Sequence, residues 1–328
     1  MAPRRRIGEF ELIARYFAPL ARDFPGAGGL KSDNAVFSAD PRRDLVVKTD
    51  MVVSGVHFLP DEQPQTIAAK ALRVCLSDLA AGGATPHAYQ LALALASDWK
   101  ESWIAAFARG LAADQRRYGV SLSGGDTVVT PGPLSVSITA FGKVARGRAM
   151  RRDRARAGDE LWVTGTIGDG ALGLLAARGR LKGITPRQSA MLEGRYRLPQ
   201  PRCALGVRLP GIATASADVS DGLLADAGHV ADASGLAVVV EREAVPLSAA
   251  ARTAVAVEPK LWAAVLGGGD DYELVLAVPR RKRAALRAAA DASGIDVTRI
   301  GHFAHGAGVQ LMIDGRAAPL PRKGYVHF

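Results

Sequence analysis

Aspartates placed beside glycines, serines and threonines are the residues of this chain best suited to chemistry. They occur as Ser32-Asp33-Asn34, Thr49-Asp50, Ser77-Asp78, Gly124-Gly125-Asp126-Thr127, Asp218-Val219-Ser220-Asp221-Gly222 and Gly268-Gly269-Asp270-Asp271. Hard cations such as Mg²⁺ take oxygen ligands, and Mg²⁺ commonly bridges carboxylates to substrate phosphates. Small neighbours let a phosphate approach the backbone closely. The set points to metal-dependent chemistry on phosphates.

Each motif also has a plainer reading. Asp78 falls in the last turns of an expected helix, where a negative charge opposes the helix dipole at a cost of about 0.3–1 kcal/mol. A metal ion would reverse that penalty; a solvated carboxylate or a local cap would also account for the residue. Asp50 interrupts an apolar strand, where aspartate is disfavoured. Facing inward it needs a cation or several donors; facing outward it carries little meaning. Gly124 to Thr127 reads either as an ordinary turn or as a phosphate nest with a ligating carboxylate. In Asp218 to Gly222, Ser220 or Asp221 can cap a helix, which leaves Asp218 unexplained, and a metal–phosphate pair at a helix start also suits the segment. Gly165 to Gly170 lacks the Gly-Lys-Ser/Thr of a P-loop, and close strand–helix packing is its expected role. His57, alone, is more often structural than catalytic.

The elements that must hold these residues follow from periodicity. Glu9 to Phe17 has helical spacing with Phe10, Ile13, Ala14 and Phe17 on one face. Phe24 to Ser32 reads as a loop, and Ala35 to Phe37 and Leu45 to Val53 as strands. Thr66 is the expected N-cap of a helix running to Ala81, stopped by Gly82 and Gly83. Gln90 to Ala96 and Leu134 to Phe141 read as strands, and Trp99 to Tyr118 as an amphipathic helix. Arg146 to Gly158 is expected to cross between domains. A strand at Glu160 to Thr164, helices from Ala171, over Leu223 to Ala233, ending at Leu266 and over Arg280 to Ala290, and a strand at Tyr272 to Val278 follow. Gly179 to Arg202, rich in Arg and Pro, is expected to be an irregular or mobile connection.

The chain has 328 residues, 48% hydrophobic and 23% charged. That is an ordinary globular balance, long enough for two domains, and it excludes disorder for most of the chain. No apolar run reaches the roughly 18 residues of a membrane span. Glu9 and Glu11 follow the basic Met1 to Arg6, so no signal peptide is expected and cytoplasm is the expected compartment. Cys75 and Cys203 show no CxxC spacing and read as reduced thiols. The net charge of +10 is spread along the chain and aromatics are 6%, so the basic–aromatic platform of single-strand nucleic-acid binders is not expected. Steering of anionic small substrates or a compositional bias remain as explanations.

Taken in order, the motifs resemble the thiamine-monophosphate kinase family. Gly8-Glu9-Phe10-Glu11-Leu12-Ile13, Thr49-Asp50, Gly55-Val56-His57-Phe58, Lys70-Ala71-Leu72, Leu76-Ser77-Asp78-Leu79-Ala80-Ala81, Gly124-Gly125-Asp126-Thr127, Val163-Thr164-Gly165, Asp218 to Leu223, Asp271-Tyr272-Glu273-Leu274 and Lys323 to Phe328 carry the resemblance. It implies the two-domain fold of the superfamily with aminoimidazole ribonucleotide synthetase and selenide water dikinase. Residues 1–148 would form an α/β domain for ATP, metal and dimerisation. Residues 149–328 would form an α+β domain completing the active-site cleft. The implied reaction moves the γ-phosphoryl of ATP directly onto thiamine monophosphate. Phosphoryl transfer asks mainly for positioning and charge neutralisation. The resemblance implies several Mg²⁺ ions on Asp33, Asn34, Thr49, Asp50, Asp78, Asp126, Asp218 and Asp221, with Asp78, Asp126 and Asp221 as the catalytic carboxylates. It implies ATP contacts from Tyr118, Gly125, Asp126, Arg152 and Ser220, thiamine-end contacts from His57, Asp270 and Tyr325, and a homodimer.

Three positions depart from the family pattern. Asn34 stands where the family has a second Asp and still offers a carbonyl ligand. Lys48 stands where serine is usual, and its ammonium contacts phosphate or replaces part of a metal site. Asp270 stands for Glu. Competing readings are a superfamily enzyme with another acceptor, a non-catalytic binder of nucleotide or thiamine phosphate, and a basic nucleic-acid-binding protein, for which no motif is present.

Overall fold

The computed structural model describes residues 7–31 and 34–321. Asp33 and Tyr325, expected at the metal and thiamine ends, lie outside them. The chain divides into two compact units, the described residues of Met1–Leu79 with Thr85–Gly147, and those of Ala80–Ala84 with Arg148–Phe328.

The first unit is built on a four-stranded sheet of β1 (Arg43–Val53), β2 (Thr85–Ala96), β3 (Ser121–Thr130) and β4 (Ser135–Ala145), in the order β1-β4-β2-β3. The pairs β1–β4 and β4–β2 are antiparallel and β2–β3 is parallel. A parallel pair needs a crossover, and the helix Glu101–Tyr118 supplies it. Val52, Leu91, Leu93, Leu95, Val136 and Ile138 are buried on one side of the sheet. The helix Pro64–Ala81 buries Ile67, Leu72, Leu76 and Leu79.

Several local expectations change here. The helix begins at Pro64 rather than being capped by Thr66: the Ile67 N–H donates to the Gln63 carbonyl at 3.0 Å. Proline suits the first helical position because its missing N–H would have no partner there. Ala35 to Phe37 form no strand. Phe37 instead packs its ring on Phe24 at 4.9 Å and Phe141 at 4.8 Å. Phe24 to Ser32 carries a 3₁₀ segment, Pro25–Leu30. The first helix is α only over Glu9–Leu12 and π over Ile13–Phe17. Bonds from i to i+5 bring residues five apart onto one side, so Leu12 and Phe17 are buried while Phe10 is 85% exposed.

The second unit carries a seven-stranded mixed sheet in the order β11-β10-β7-β9-β5-β8-β6. Its strands are β5 (Glu160–Thr164), β6 (Ala215–Asp218), β7 (Ala237–Glu241), β8 (Leu274–Val278), β9 (Val297–Ala304), β10 (Gly308–Ile313) and β11 (Arg316–Ala318). The helices Asp169–Ala177, Leu223–Ala233 and Ala249–Val257 contribute Leu172, Leu223, Ala227, Val230 and Ala254 to its core. Gly179 to Arg202 is not irregular throughout. It contains the helix Pro186–Arg197, opened by a capping box in which Thr185 and Gln188 bond each other's backbone N–H. Leu192 and Tyr196 anchor that helix in the interior. Its high Arg content hid the few apolar residues that matter. Among the described residues no helix is long and apolar enough to cross a membrane.

Candidate active site

In the first unit, β1 sorts the candidate residues by the two-residue period of a strand. Lys48, Asp50 and Val52 point to the covered side, and Val47, Thr49 and Met51 to the exposed side. Asp50 thus takes the inward alternative, where a carboxylate needs a cation. That cation is Lys48, whose Nζ lies 3.0 Å from Asp50 Oδ1 and 3.2 Å from Asp78 Oδ2. Burial pulls the ammonium's pKa down, but Asp78 and Asp50 outweigh it and hold the group above its ordinary value. Cys75 Sγ lies 3.4 Å from Asp50 Oδ2 and 3.2 Å from the Ile138 carbonyl. Burial first, and Asp50 next, push its thiol well above the ordinary range, so it stays neutral. The Asp50–Asp78 pair therefore does not fit a divalent ion held between these two facing oxygens.

The exposed side carries a different set. Thr49 Oγ1 meets Thr139 Oγ1 at 2.9 Å. Asp126 lines a shallow pocket with Met51, Val128 and Ser137. The structure thus brings Asp50 and Asp78 together and places Thr49 and Asp126 across the sheet from them. Gly124 to Thr127 is no loop but part of β3, with Gly125 opposite Leu91. A Cβ on Gly125 would sit 1.9 Å from the Leu91 carbonyl oxygen, so glycine is required by strand approach. Asp126 Oδ1 accepts the Thr127 N–H at 2.8 Å. His57 follows β1 in a turn, and its Nδ1 accepts the Val53 N–H at 3.1 Å. Tyr118 ends its helix with the guanidinium of Arg117 5.5 Å and that of Arg73 5.8 Å from the ring centre. A buried Asp114 fixes Arg73 with two bonds of 2.7 and 2.8 Å. Asn34 is exposed.

In the second unit, β6 ends at the buried Asp218. The next residues run beside the Gly269 to Glu273 segment: Val219 N–H donates to the Glu273 carbonyl (2.7 Å), Tyr272 N–H to Val219 (2.8 Å) and Asp270 N–H to Ser220 (2.9 Å). Asp270 and Tyr272 hold positive φ of 68° and 51°, an uncommon state for side-chain-bearing residues. Gly269 permits the approach, because a Cβ there would stand 2.0 Å from the Ser220 oxygen. Asp218, Ser220, Asp221 and Asp270 are thereby held along one paired segment.

Asp226 was not among the expected residues. From the first turn of the helix Leu223–Ala233 its Oδ2 accepts the N–H groups of Ser220, Asp221 and Gly222 at 3.0, 3.0 and 3.1 Å. The amides that would form an anion nest are thus occupied by the protein's own carboxylate. Cation binding by the side chains suits this segment better than phosphate binding by its backbone. Asp221, Asp226 and His229 offer ligand atoms within 4.8 Å of one another. The signal for Asp226 was present as a carboxylate four residues after Gly222, but that spacing also fits a plain first-turn acid.

Burial first, and Asp221 next, push the Asp226 carboxyl up to about 7; the Arg152 charge acts in the opposite direction. An unfolded aspartate titrates near pH 4. The folded state therefore holds the extra proton from there up to about 7. The stability this gives is complete below the unfolded value and is lost as pH rises through the folded one. Asp226→Asn keeps an oxygen for the three N–H donors and is expected to flatten this part of the curve. Urea midpoints of metal-free protein between about pH 5 and 8 check it; a slope equal to wild type in the variant would refute it.

Gly165 to Gly170 has the packing role expected of it. Cβ atoms at Gly168 and Gly170 would collide with Val265 and with the Asp270 carbonyl. The buried Asp271 accepts the N–H groups of Gly168 and Gly170 at 2.7 and 2.8 Å. Two residues on, buried Glu273 receives Arg195 Nη2 at 2.6 Å, Arg202 Nε at 2.6 Å and Thr164 Oγ1 at 2.6 Å. The Asp-Tyr-Glu-Leu segment thus locks this loop in place. Arg195 and Arg202 lie in the stretch expected to be irregular and were missed for that reason.

Residues 31–144 match the family described as AIR synthase related protein, N-terminal domain, and residues 156–314 its C-terminal domain. The chain is 45% identical over 322 residues to thiamine-monophosphate kinase of Caulobacter vibrioides, covering 97% of this chain and 90% of that one. Among solved structures, thiamine-monophosphate kinase from Stenotrophomonas maltophilia K279a superposes with a TM-score of 0.80 at 42% identity, over 88% of this chain and 91% of that one. AaThiL complexed with AMPPCP and TMP superposes with a TM-score of 0.78 at 29% identity, over 99% of both chains.

Proposed function

Because the chain belongs to the thiamine-monophosphate kinase family, we propose that it phosphorylates thiamine monophosphate with ATP. The observation that carries this is the end-to-end likeness to a protein complexed with AMPPCP and TMP. A phosphate oxygen of thiamine monophosphate attacks the γ-phosphorus of ATP, the bond to the bridging oxygen breaks, and ADP leaves with the electron pair. The products are thiamine diphosphate and ADP. No covalent enzyme intermediate is needed, so the chain's task is to place and neutralise two polyanions.

The finer assignments belong to the same proposal. Mg²⁺ would be held by Asp218 and Asp221 in the second unit and by Asp126 with Asp33, Asn34 and Thr49 in the first. It would supply charge neutralisation on the phosphates. Asp221 suits the role because its own backbone N–H is bound by Asp226 while the residue is only half-buried. Arg152 is exposed and suits ATP phosphates by its fork of donors. Ser220, Gly125 and Tyr118 would complete the ATP contacts, and His57, Asp270 and Tyr325 those to the thiamine end. A cytoplasmic setting is part of this reading. Purified protein with ATP, Mg²⁺ and thiamine monophosphate is expected to yield thiamine diphosphate, and EDTA to abolish it. Nucleotide binding without product would favour a different acceptor or a binding-only protein.

A homodimer through the first unit is likewise proposed. The exposed side of its sheet carries Leu45, Val47, Met51 and Val128, each roughly half accessible. Such a contiguous apolar face marks an interface. Sedimentation is expected to return twice the chain mass of 34.4 kDa, and Val47→Asp with Met51→Asp to return one copy.

A further inference from the structure

Lys48, like the Asp50 and Asp78 that it meets, is a charged residue of the first unit to which phosphoryl transfer has assigned no task. It stands two residues before Asp50 on β1, on the same side of the strand. Asp78 reaches the same point from the helix Pro64–Ala81. Nζ is within hydrogen-bond distance of both carboxylates, 3.0 Å from Asp50 Oδ1 and 3.2 Å from Asp78 Oδ2. Each contact is charge-assisted. The three side chains are 21–35% exposed, so the carboxylates are partly desolvated and would repel each other without a cation between them. Cys75, the thiol beside Asp50, is neutral and brings no positive charge.

A Mg²⁺ ion shared by these oxygens would require distances of about 2.0–2.1 Å. The ammonium occupies the space such an ion needs and has already neutralised one of the two negative charges. The lysine is also tethered: its strand pairs with β4 without a break from Arg43 to Val53. A cation supplied this way is present at any free-metal concentration. We propose that Lys48 is a built-in cation that replaces a divalent ion at the Asp50–Asp78 pair. It is a positioning residue that holds both carboxylates in place, and the chain binds one metal ion fewer than an otherwise equal chain with a small neutral residue at position 48. The inference rests on the kinase reading only in treating the other carboxylates as metal sites.

The test counts ions rather than turnover. Mn²⁺ is titrated into nucleotide-free protein and free Mn²⁺ is read by electron paramagnetic resonance. Asp50→Asn in the otherwise wild-type chain is expected to leave the Mn²⁺ count unchanged. Lys48→Ser is expected to raise it by about one, and Lys48→Ser combined with Asp50→Asn to return it to the wild-type count. A count that falls in Asp50→Asn alone would mean that a metal already sits there, and would overturn the proposal. So would a folded Lys48→Ser variant that gains no ion. The Asp50→Asn arm decides the matter even where Lys48→Ser fails to fold. Since neither ATP nor thiamine monophosphate is present, failure of the kinase assignment would leave these counts readable.

Discussion

Asp221→Asn is expected to lower kcat by about 10²–10³-fold, the usual cost of removing one preorganised charge-stabilising group from a reaction centre. The substitution is nearly isosteric and leaves untouched the backbone N–H that Asp226 holds. It removes a negative charge from the cluster with Asp226 and His229, so binding of a divalent cation weakens. The effect should fall on kcat at saturating ATP and shrink as Mg²⁺ is raised, which separates lost metal affinity from lost folding. A second readout is independent of turnover. Asp221 is one of the groups raising the Asp226 carboxyl, so the stability–pH profile should move to lower pH in the variant. Steady-state kinetics across a Mg²⁺ series check the first expectation, and a kcat within about twofold of wild type would remove Asp221 from the metal set.

Glu273→Gln is expected to destabilise the second unit by about 3–5 kcal/mol, the range for breaking a buried ion pair by removing one partner. Glu273 is fully buried beneath Arg195 and Arg202, which are 12% and 16% exposed. Glutamine preserves the shape and leaves two guanidinium groups facing a neutral amide. The Thr164 hydroxyl, which donates to Glu273 and accepts the Leu274 N–H, loses its charged acceptor at the same time. Urea denaturation at constant m-value would show the loss as a lower midpoint. A change below about 1 kcal/mol would mean that solvent or Asp169, 3.9 Å from Arg195, takes over the pairing.

The residues of the candidate site were legible to different degrees, for identifiable reasons. Asp50 announced itself because a carboxylate in an apolar strand conflicts with its surroundings, and conflicts of that kind gather where function resides. Asp218 stood out because capping explained Ser220 or Asp221 and left it over. Asp226 gave no such conflict: an acid in a first helical turn is favourable on its own, so nothing marked it as the residue that occupies three amides. Arg195 and Arg202 looked like solvated charges, since nothing local reveals a partner about 70–80 residues away, as their bonds to Glu273 prove to be.

Periodicity and ordered short motifs determined most of the element types and the family, because a strand's period of two and a helix's of 3.6 are written locally. They also picked out the aspartates proposed to hold cations. Which cation sits between Asp50 and Asp78 was decided by the tertiary structure alone. Lys48 and Asp50 share a side of β1 by local alternation, but Asp78 joins them only when the helix Pro64–Ala81 packs onto that side. Alternation along β1 alone put Thr49 on the opposite side from Asp50, whereas pairing with β2 drew Gly124 to Thr127 into β3 and set Asp126 on Thr49's side. Electrostatic partnership depends on distances of a few ångströms, and the fold sets those distances between residues the chain keeps far apart.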